Sequence, residues 1–172
     1  GMLREGGGDG CGSAAEEDGV GQLGILTSSG AHTRMIKLRQ NMVGASSVYN
    51  VGIGTTAPQA KLQVEELGID TTTTSTTAVT QVVIDTMAAA TFRSARYTIQ
   101  VTNSTDSTYH LTEVLLIHNG TTPQITEYGT IFTGSAEATF DADISSGNVR
   151  LLATPATTDS MTFKVVRHCI TV

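Results

Sequence analysis

The chain has 172 residues and a mass of 18.0 kDa, which suits one compact domain with an additional segment. Its formal net charge is −6 and its ten basic residues are scattered, so nucleic-acid binding and attachment to anionic membranes are disfavoured. No apolar run approaches the roughly 18 residues that cross a bilayer. Thr occurs 29 times and aromatic residues make up 5%, a composition that favours strands and turns over helices.

Residues 1–22 combine many glycines with the acidic run 16–18 and few large apolar side chains. Such a segment buries too little surface to offset the entropy of ordering it, so we expect it to be disordered, or ordered only by neighbouring chains. Cys11 lies in this segment, and Cys169 lies in an alternating apolar stretch near the other end. Two cysteines so far apart form no disulfide framework, and we expect Cys169 to be a small, unpaired core residue.

An extended, Gly/Thr-rich segment is predicted over residues 23–69, and its last part holds two short strands flanking a turn. Glycines alternate with apolar residues in the first strand, which suits a face that another backbone approaches closely. Two short strands with apolar faces are marginal alone in water, so they need a cover. We expect contacts between identical chains, with Ile53 near the shared axis. The expected contact residues are Val51, Gly52, Ile53, Gly54, Leu62 and Val64.

Residues 50–64 read NVGIGTTAPQAKLQV, which resembles a motif that recurs in bacteriophage tail fibres and other virion fibre proteins. Secreted bacterial surface proteins with fibre-like repeats also contain the motif. The resemblance implies a location in the virion, contact with other virion proteins, and a homotrimer of the kind most phage fibres form. In such a trimer neighbouring copies would cover the exposed strand edges of this segment.

Residues 70–77 are almost entirely Thr and Ser and are predicted to be a linker. Beyond it, residues 78–172 predict an antiparallel β-sandwich, jelly-roll-like or immunoglobulin-like, because strands recur with turn residues every 8–12 positions or so. Seven strands are expected, at 78–85, 92–102, 109–118, 124–132, 138–144, 149–153 and 161–172. Alternation predicts a core of Tyr97, Ile99, Val101, Leu116, Phe140, Leu151, Phe163 and Val165.

The predicted sandwich carries a second resemblance. Residues 92–97, 113–120, 126–129 and 147–152 look like stretches of the C-terminal β-domain in structural proteins of marine tailed phages, including cyanophages. Together with the fibre motif, the likeness extends over residues 50–172. It implies a structural role in the virion and no particular activity.

Known nucleophile, zinc-protease and phosphate-loop motifs are absent from the sequence, and Gly52-Ile53-Gly54 lacks the third glycine of a dinucleotide-binding turn. Asp141 and Asp143 share one strand face, about 7 Å apart, a spacing that a calcium ion or a glycosidase could use. A solvated outer face is the favoured interpretation, since the chain has no Trp to line a sugar groove. We therefore expect no catalytic, cofactor-binding or metal-binding residues.

The other charged candidates have structural interpretations. Glu113, Glu127 and Tyr128 lie in predicted strands beside Arg93, Arg96 and Arg150, and cross-strand ion pairs or one buried Arg–Glu pair would account for them. His110 and His118 are eight residues apart on one strand, roughly 26 Å, and so cannot chelate one metal. His118, beside the turn at Asn119-Gly120, is expected to be a polar residue flanking that turn.

These observations predict a non-enzymatic structural protein of a phage virion, either a tail-fibre, tail-associated or decoration component, that assembles as a homo-oligomer. The alternative is a distal module that attaches to a host by binding a cell-surface glycan or protein, through the loops that end a β-sandwich. The candidate loops are residues 103–107, 119–123 and 154–160.

Overall fold

The computed structural model describes residues 21–26, 32–43, 46–55 and 57–172, so that residues 1–20 of the segment expected to be disordered lie outside it. The regular structure in this part of the chain is β-strand, and no helix capable of crossing a membrane occurs in it. The described strands are β1 (Gly21–Leu26), β2 (His32–Val43), β3 (Ser46–Ile53), β4 (Leu62–Val64), β5 (Leu67–Thr76), β6 (Val82–Ala88), β7 (Phe92–Asn103), β8 (Thr108–His118), β9 (Pro123–Phe132), β10 (Ala138–Ser145), β11 (Asn148–Pro155) and β12 (Met161–Thr171).

The strands form two sheets, and the prediction of an all-β sandwich is confirmed. The larger sheet has the order β1-β2-β3-β4-β5-β12-β7-β8-β9, and the smaller has the order β10-β11-β6. Neighbouring strands are antiparallel, apart from the parallel pair β3 and β4. The seven strands predicted after residue 78 correspond to β6 through β12.

The prediction of a linker over residues 70–77 is wrong, because nearly all of this stretch belongs to β5. That strand pairs with β12 along its whole length, from Thr76 opposite Met161 to Leu67 opposite Ile170. Thr is β-branched and suits a pleated, half-buried strand even where it contributes little to a core. The Thr72 hydroxyl donates to the Ile84 carbonyl oxygen at 2.8 Å, which ties β5 to the smaller sheet. The Thr-rich run is therefore part of the sandwich.

The core lies between the two sheets, where alternate side chains of each strand meet. Seven of the eight predicted core residues are buried, and Phe140 is half-buried beside them. Cys169 is also buried, as expected, and burial raises the pKa of its thiol. Gly68 leaves room for it, since a Cβ at residue 68 would lie 2.7 Å from the Cys169 Sγ atom.

A buried arginine links the two sheets. Arg167, on β12, donates from Nη1 to the Asp85 carboxylate and, at 2.7 Å, to the Thr86 carbonyl oxygen, both on β6 of the smaller sheet. Its Nη2 donates to Asp70 Oδ2 at 3.1 Å, directly across the register from Arg167 on β5. Burial raises the pKa of Asp85, and the Arg167 charge opposes that rise. Three strands of two sheets thus meet at one guanidinium group.

Substituting Phe163 and Phe140 should lower the free energy of unfolding by different amounts, because the first is fully buried and the second is half-buried. Phe163 is fully buried, so we expect Phe163→Ala to lower the free energy of unfolding by roughly 3–5 kcal/mol. Phe140 is only half-buried, so Phe140→Ala should cost clearly less. Urea unfolding monitored by circular dichroism measures both values. Equal losses for the two variants would contradict the assigned positions of these strands.

Removing the buried guanidinium should be more harmful than removing the whole ion pair. Arg167→Met leaves Asp85 buried without a cationic partner, and we expect it to cost roughly 3–5 kcal/mol of unfolding free energy. In Arg167→Met/Asp85→Leu the uncompensated charge at residue 85 is gone, so much of the lost stability should return. Urea unfolding at pH 7 is the measurement. A double variant no more stable than Arg167→Met would show that the charge is not the cause.

Candidate functional site

The outward face of the larger sheet carries a line of apolar side chains that crosses seven strands. The register places one outward residue of each strand beside the next, from β3 through β4, β5, β12, β7 and β8 to β9. We name this line the apolar row, and its members in order are Ile53, Val64, Leu67, Ile170, Ser94, Ile117 and Gln124. Its five aliphatic side chains are exposed, and two of them are 56% exposed. A continuous exposed line of this kind is a candidate interaction surface.

Ser94 makes a groove in the apolar row, because its small side chain lies between the larger Ile117 and Ile170. The groove has a volume of about 580 Å³. Leu67 and Leu115 also line it, so its walls are mostly aliphatic. The surface is therefore not flat: two projecting isoleucines stand on either side of a depression that could receive a side chain.

The residues predicted to contact identical chains lie partly on this face. Ile53 and Val64 belong to the apolar row, and both are exposed. Val51 and Leu62 form the neighbouring pair of the same two strands and are half-buried. The fibre-like segment and the sandwich thus share one continuous surface.

The opposite face of β3 and β4 is covered by the chain itself. Their connection, residues 54–61, folds back so that the Asn50 Nδ2 group donates to the Pro58 carbonyl oxygen at 3.2 Å. The Gln63 side chain accepts from the Gln59 backbone N–H at 2.8 Å and donates to the Glu65 carbonyl oxygen at 2.9 Å. The outward face of β3 and β4 is therefore the face that stays exposed to solvent.

The two glycines of the predicted contact set are accounted for within the chain. Gly54 has a φ of +74°, and a Cβ there would lie 2.7 Å from the Glu65 Cγ atom. A Cβ at Gly52 would lie 3.0 Å from the Thr55 carbonyl oxygen. Both glycines thus serve the turn between β3 and β4. They give no independent support to contact with another chain, which stays a prediction for the apolar neighbours.

Cross-strand ion pairing, predicted for the charged strand residues, is confirmed for Arg96 and Glu113 on β7 and β8. Arg96 Nε donates to Glu113 Oε2 at 3.1 Å, and Nη2 donates to Oε1 at 2.7 Å. Hydrogen bonds from Arg96 and from Tyr128 lower the pKa of Glu113. Arg93 instead donates to the His118 carbonyl oxygen at 3.2 Å. The buried pair uses Arg167 and Asp85, not the predicted Arg–Glu combination.

The carboxylates at 141 and 143 are not equivalent. Asp143 accepts from Arg150 Nε at 2.6 Å and also from Nη2, and these hydrogen bonds lower its pKa. Asp141 is exposed and accepts from the backbone N–H of Ala142 at 2.8 Å. Within the described residues no group of three or more His, Cys, Asp or Glu side chains is arranged to hold a metal ion. The interpretation that fits this geometry is a solvated strand face with one ion pair.

Two of the three candidate binding loops meet at one end of the sandwich. The Asn103 Nδ2 group donates to Asp159 at 3.0 Å and to Glu137 at 3.1 Å. The Ser104 backbone N–H donates to the Ser160 carbonyl oxygen at 2.9 Å. The loop at 119–123 joins the other ends of β8 and β9, so it lies at the opposite end.

His118 and His110 are both buried on β8, and they have different partners. His118 Nε2 contacts the Phe92 carbonyl oxygen at 2.7 Å, and its Nδ1 accepts from the Gly120 N–H at 3.0 Å. This buried side chain therefore stabilises the predicted turn through a hydrogen bond to its backbone. His110 Nδ1 accepts from the Glu137 N–H at 3.3 Å, which assigns the ring proton to Nε2. That Nε2 has no hydrogen-bond partner among the described residues. Burial lowers the pKa of His110, and the carboxylates of Glu127 and Glu137 oppose the effect.

Two features of this surface were missed by the sequence interpretation. The run 114–117 is apolar on both faces of β8, a pattern typical of a strand covered on both sides, yet Leu115 and Ile117 point to the open side. Ile170 has the exposed parity of β12. The signal available in the sequence was the presence of apolar residues on both faces of the strand. Only the sheet order shows that no second layer covers the outward ones within the described chain.

No family model matches the sequence, and no curated protein is similar to it. Solved structures that are similar to part of the fold include two phage tailspike proteins. The tailspike protein of Acinetobacter baumannii phage AM24 has 7% identity and a TM-score of 0.40, with 62% of this chain and 26% of that chain covered. The tailspike protein of Acinetobacter phage vB_ApiP_P1 has 18% identity and a TM-score of 0.33, with 58% and 20% covered. The chain thus spans about a quarter or less of either protein.

The buried His110 should make stability depend on pH. Because its folded-state pKa is lowered, the unfolded chain binds the proton more readily below about pH 6.5. Its stabilising effect is therefore complete above that pH and is lost as the pH falls towards the lowered value. Urea unfolding from pH 7.5 to 5 should show a smaller loss of stability in His110→Asn than in the natural chain. Equal profiles for His110→Asn and the natural chain would refute the assignment.

Proposed function

We propose that the chain is a non-enzymatic structural protein of a phage virion, a tail-fibre, tail-associated or decoration component, that acts by assembling with copies of itself. The observation that carries the proposal is the apolar row, which begins in the fibre-like motif at Ile53 and Val64 and runs on across the sandwich. The resemblance of residues 50–64 to phage fibre motifs supports the virion assignment.

Assembly would cover the outward face of β3 and β4, which the fold of one chain leaves exposed to solvent. The connection 54–61 covers one face of β3 and β4, and the outward face keeps Ile53 and Val64 in contact with solvent. Fully burying an exposed aliphatic side chain is favourable by roughly 1.5–3 kcal/mol. Ile53 is 38% exposed and Val64 is 36% exposed, so assembly would gain the remaining part of that value at each. A homotrimer, the symmetry that the motif implies, would bury this face around a common axis.

Host-surface recognition is the second candidate. It is favoured by the joined loops at one end of the sandwich, where Asn103 connects Glu137 and Asp159 on a rigid scaffold. A glycan array with the purified chain tests it. Binding restricted to one sugar class, and lost in Asn103→Ala, would support a receptor-binding role in addition to assembly.

Charge placed on the fibre-like part of the apolar row should dissociate the assembly. Light scattering of the natural full-length chain should give three times the 18.0 kDa of one copy. Ile53→Asp and Val64→Asp should shift the mass towards the monomer, because a carboxylate cannot be buried there without a partner. Val79→Asp adds the same charge at an exposed apolar residue off this face and serves as the control. A natural chain that stays monomeric at high concentration would overturn the proposal.

A further inference from the structure

The outward face of the sandwich carries little negative charge, although the chain as a whole is acidic. Among the outward residues of the described strands β5, β12, β7, β8 and β9, Glu113 is the single carboxylate, whereas the whole chain has sixteen acidic residues. Glu113 is itself paired with Arg96. The face therefore lacks the negative charge that would make two copies of this chain repel each other.

The apolar character extends beyond the apolar row. At the far ends of β8 and β9 a second exposed group stands on the same face, with Leu111 directly opposite Ile131 and Tyr109 two residues before Leu111. Leu115 and Val166 lie between the two groups and are also exposed. Apolar side chains thus recur along the strands as well as across them.

The size of this face matches what a stable interface needs. Five strands about 4.8 Å apart and ten residues long at about 3.4 Å each give roughly 800 Å². A standard protein–protein interface buries about 800 Å² per partner, and its area includes polar as well as apolar side chains. The outward face of the sandwich alone is therefore large enough to be an interface, before β3 and β4 are added.

We infer that this face, centred on the groove at Ser94, is itself the contact between copies of the chain, so that the sandwich and the fibre-like segment form one self-association surface. The inference rests on the proposed function and adds the site to it. A second copy is the occupant because the row is continuous with Ile53 and Val64. The charged side chains of the face are few, namely the Arg96–Glu113 pair and Lys164, so two copies would not repel each other strongly. Ile117 and Ile170 also project beside a depression that the same residues of another copy could fill.

Lysine substitutions on the walls of the groove test this inference in the full chain. Ile117→Lys and Ile170→Lys should each weaken self-association by roughly tenfold or more, measured by light scattering over a concentration series. The matched control is Val83→Lys, at an exposed apolar residue on β6 of the smaller sheet, which should assemble like the natural chain. Circular dichroism and thermal unfolding establish that each variant is folded.

A second measurement reports on the face without adding charge. In Ile117→Cys, a maleimide should react more slowly in the assembled state than after dilution to the monomer, whereas Val83→Cys should react at the same rate in both. The natural chain gives the background rate of its own cysteines. Concentration-independent labelling at residue 117 in a chain that does assemble would overturn the inference.

The outcomes separate this inference from the function on which it rests. If Ile53→Asp and Val64→Asp dissociate the assembly and the lysine variants at 117 and 170 do not, the inference is wrong and the proposed function stands. If the natural chain is a monomer, both are wrong. If both sets of variants dissociate and Val83→Lys does not, the interface spans the fibre-like segment and the sandwich.

Discussion

The contact on which the sandwich depends is the one that Arg167 makes at its centre. This side chain extends from β12 of the larger sheet, binds Asp85 and the Thr86 carbonyl oxygen on β6 of the smaller sheet, and reaches Asp70 on β5. A buried guanidinium is tolerated only when carboxylates and carbonyl groups replace its water. It therefore fixes the register of β5 on β12 and the position of one sheet over the other.

The two sheets are unequal in size, and this leaves one face of the larger sheet open. Three strands cover one face of the larger sheet, and the described chain supplies no layer for its other face. Five aliphatic side chains consequently stand in line across seven strands, in contact with water. Association with further copies would bury these side chains. The free-energy cost of leaving them exposed to water in the monomer is the physical reason for proposing assembly.

One sequence interpretation was wrong and another was incomplete, and both have the same physical cause. The Thr-rich run at 70–77 was taken for a linker because it contains no large apolar residue, but backbone pairing with β12 and the hydroxyl bond from Thr72 are enough to hold it in the sheet. Gly52 and Gly54 are predicted to contact another chain, and the structure shows in addition that the segment around β3 and β4 needs both glycines locally. In both cases the deciding partner lies elsewhere in the chain, where periodicity gives no information.

The sequence by itself determined the β class, the strands from β6 to β12, and seven buried residues of the core, because alternation and turn residues are local properties. It also contained the signal for Arg167, which shares the parity of the buried Met161, Phe163 and Val165. Only the tertiary structure decided which apolar residues stay exposed. Ile117 and Ile170 look like core residues in the sequence, and it is the order of the strands and the small size of the second sheet that leave them, with Leu67 and Val64, on an open face.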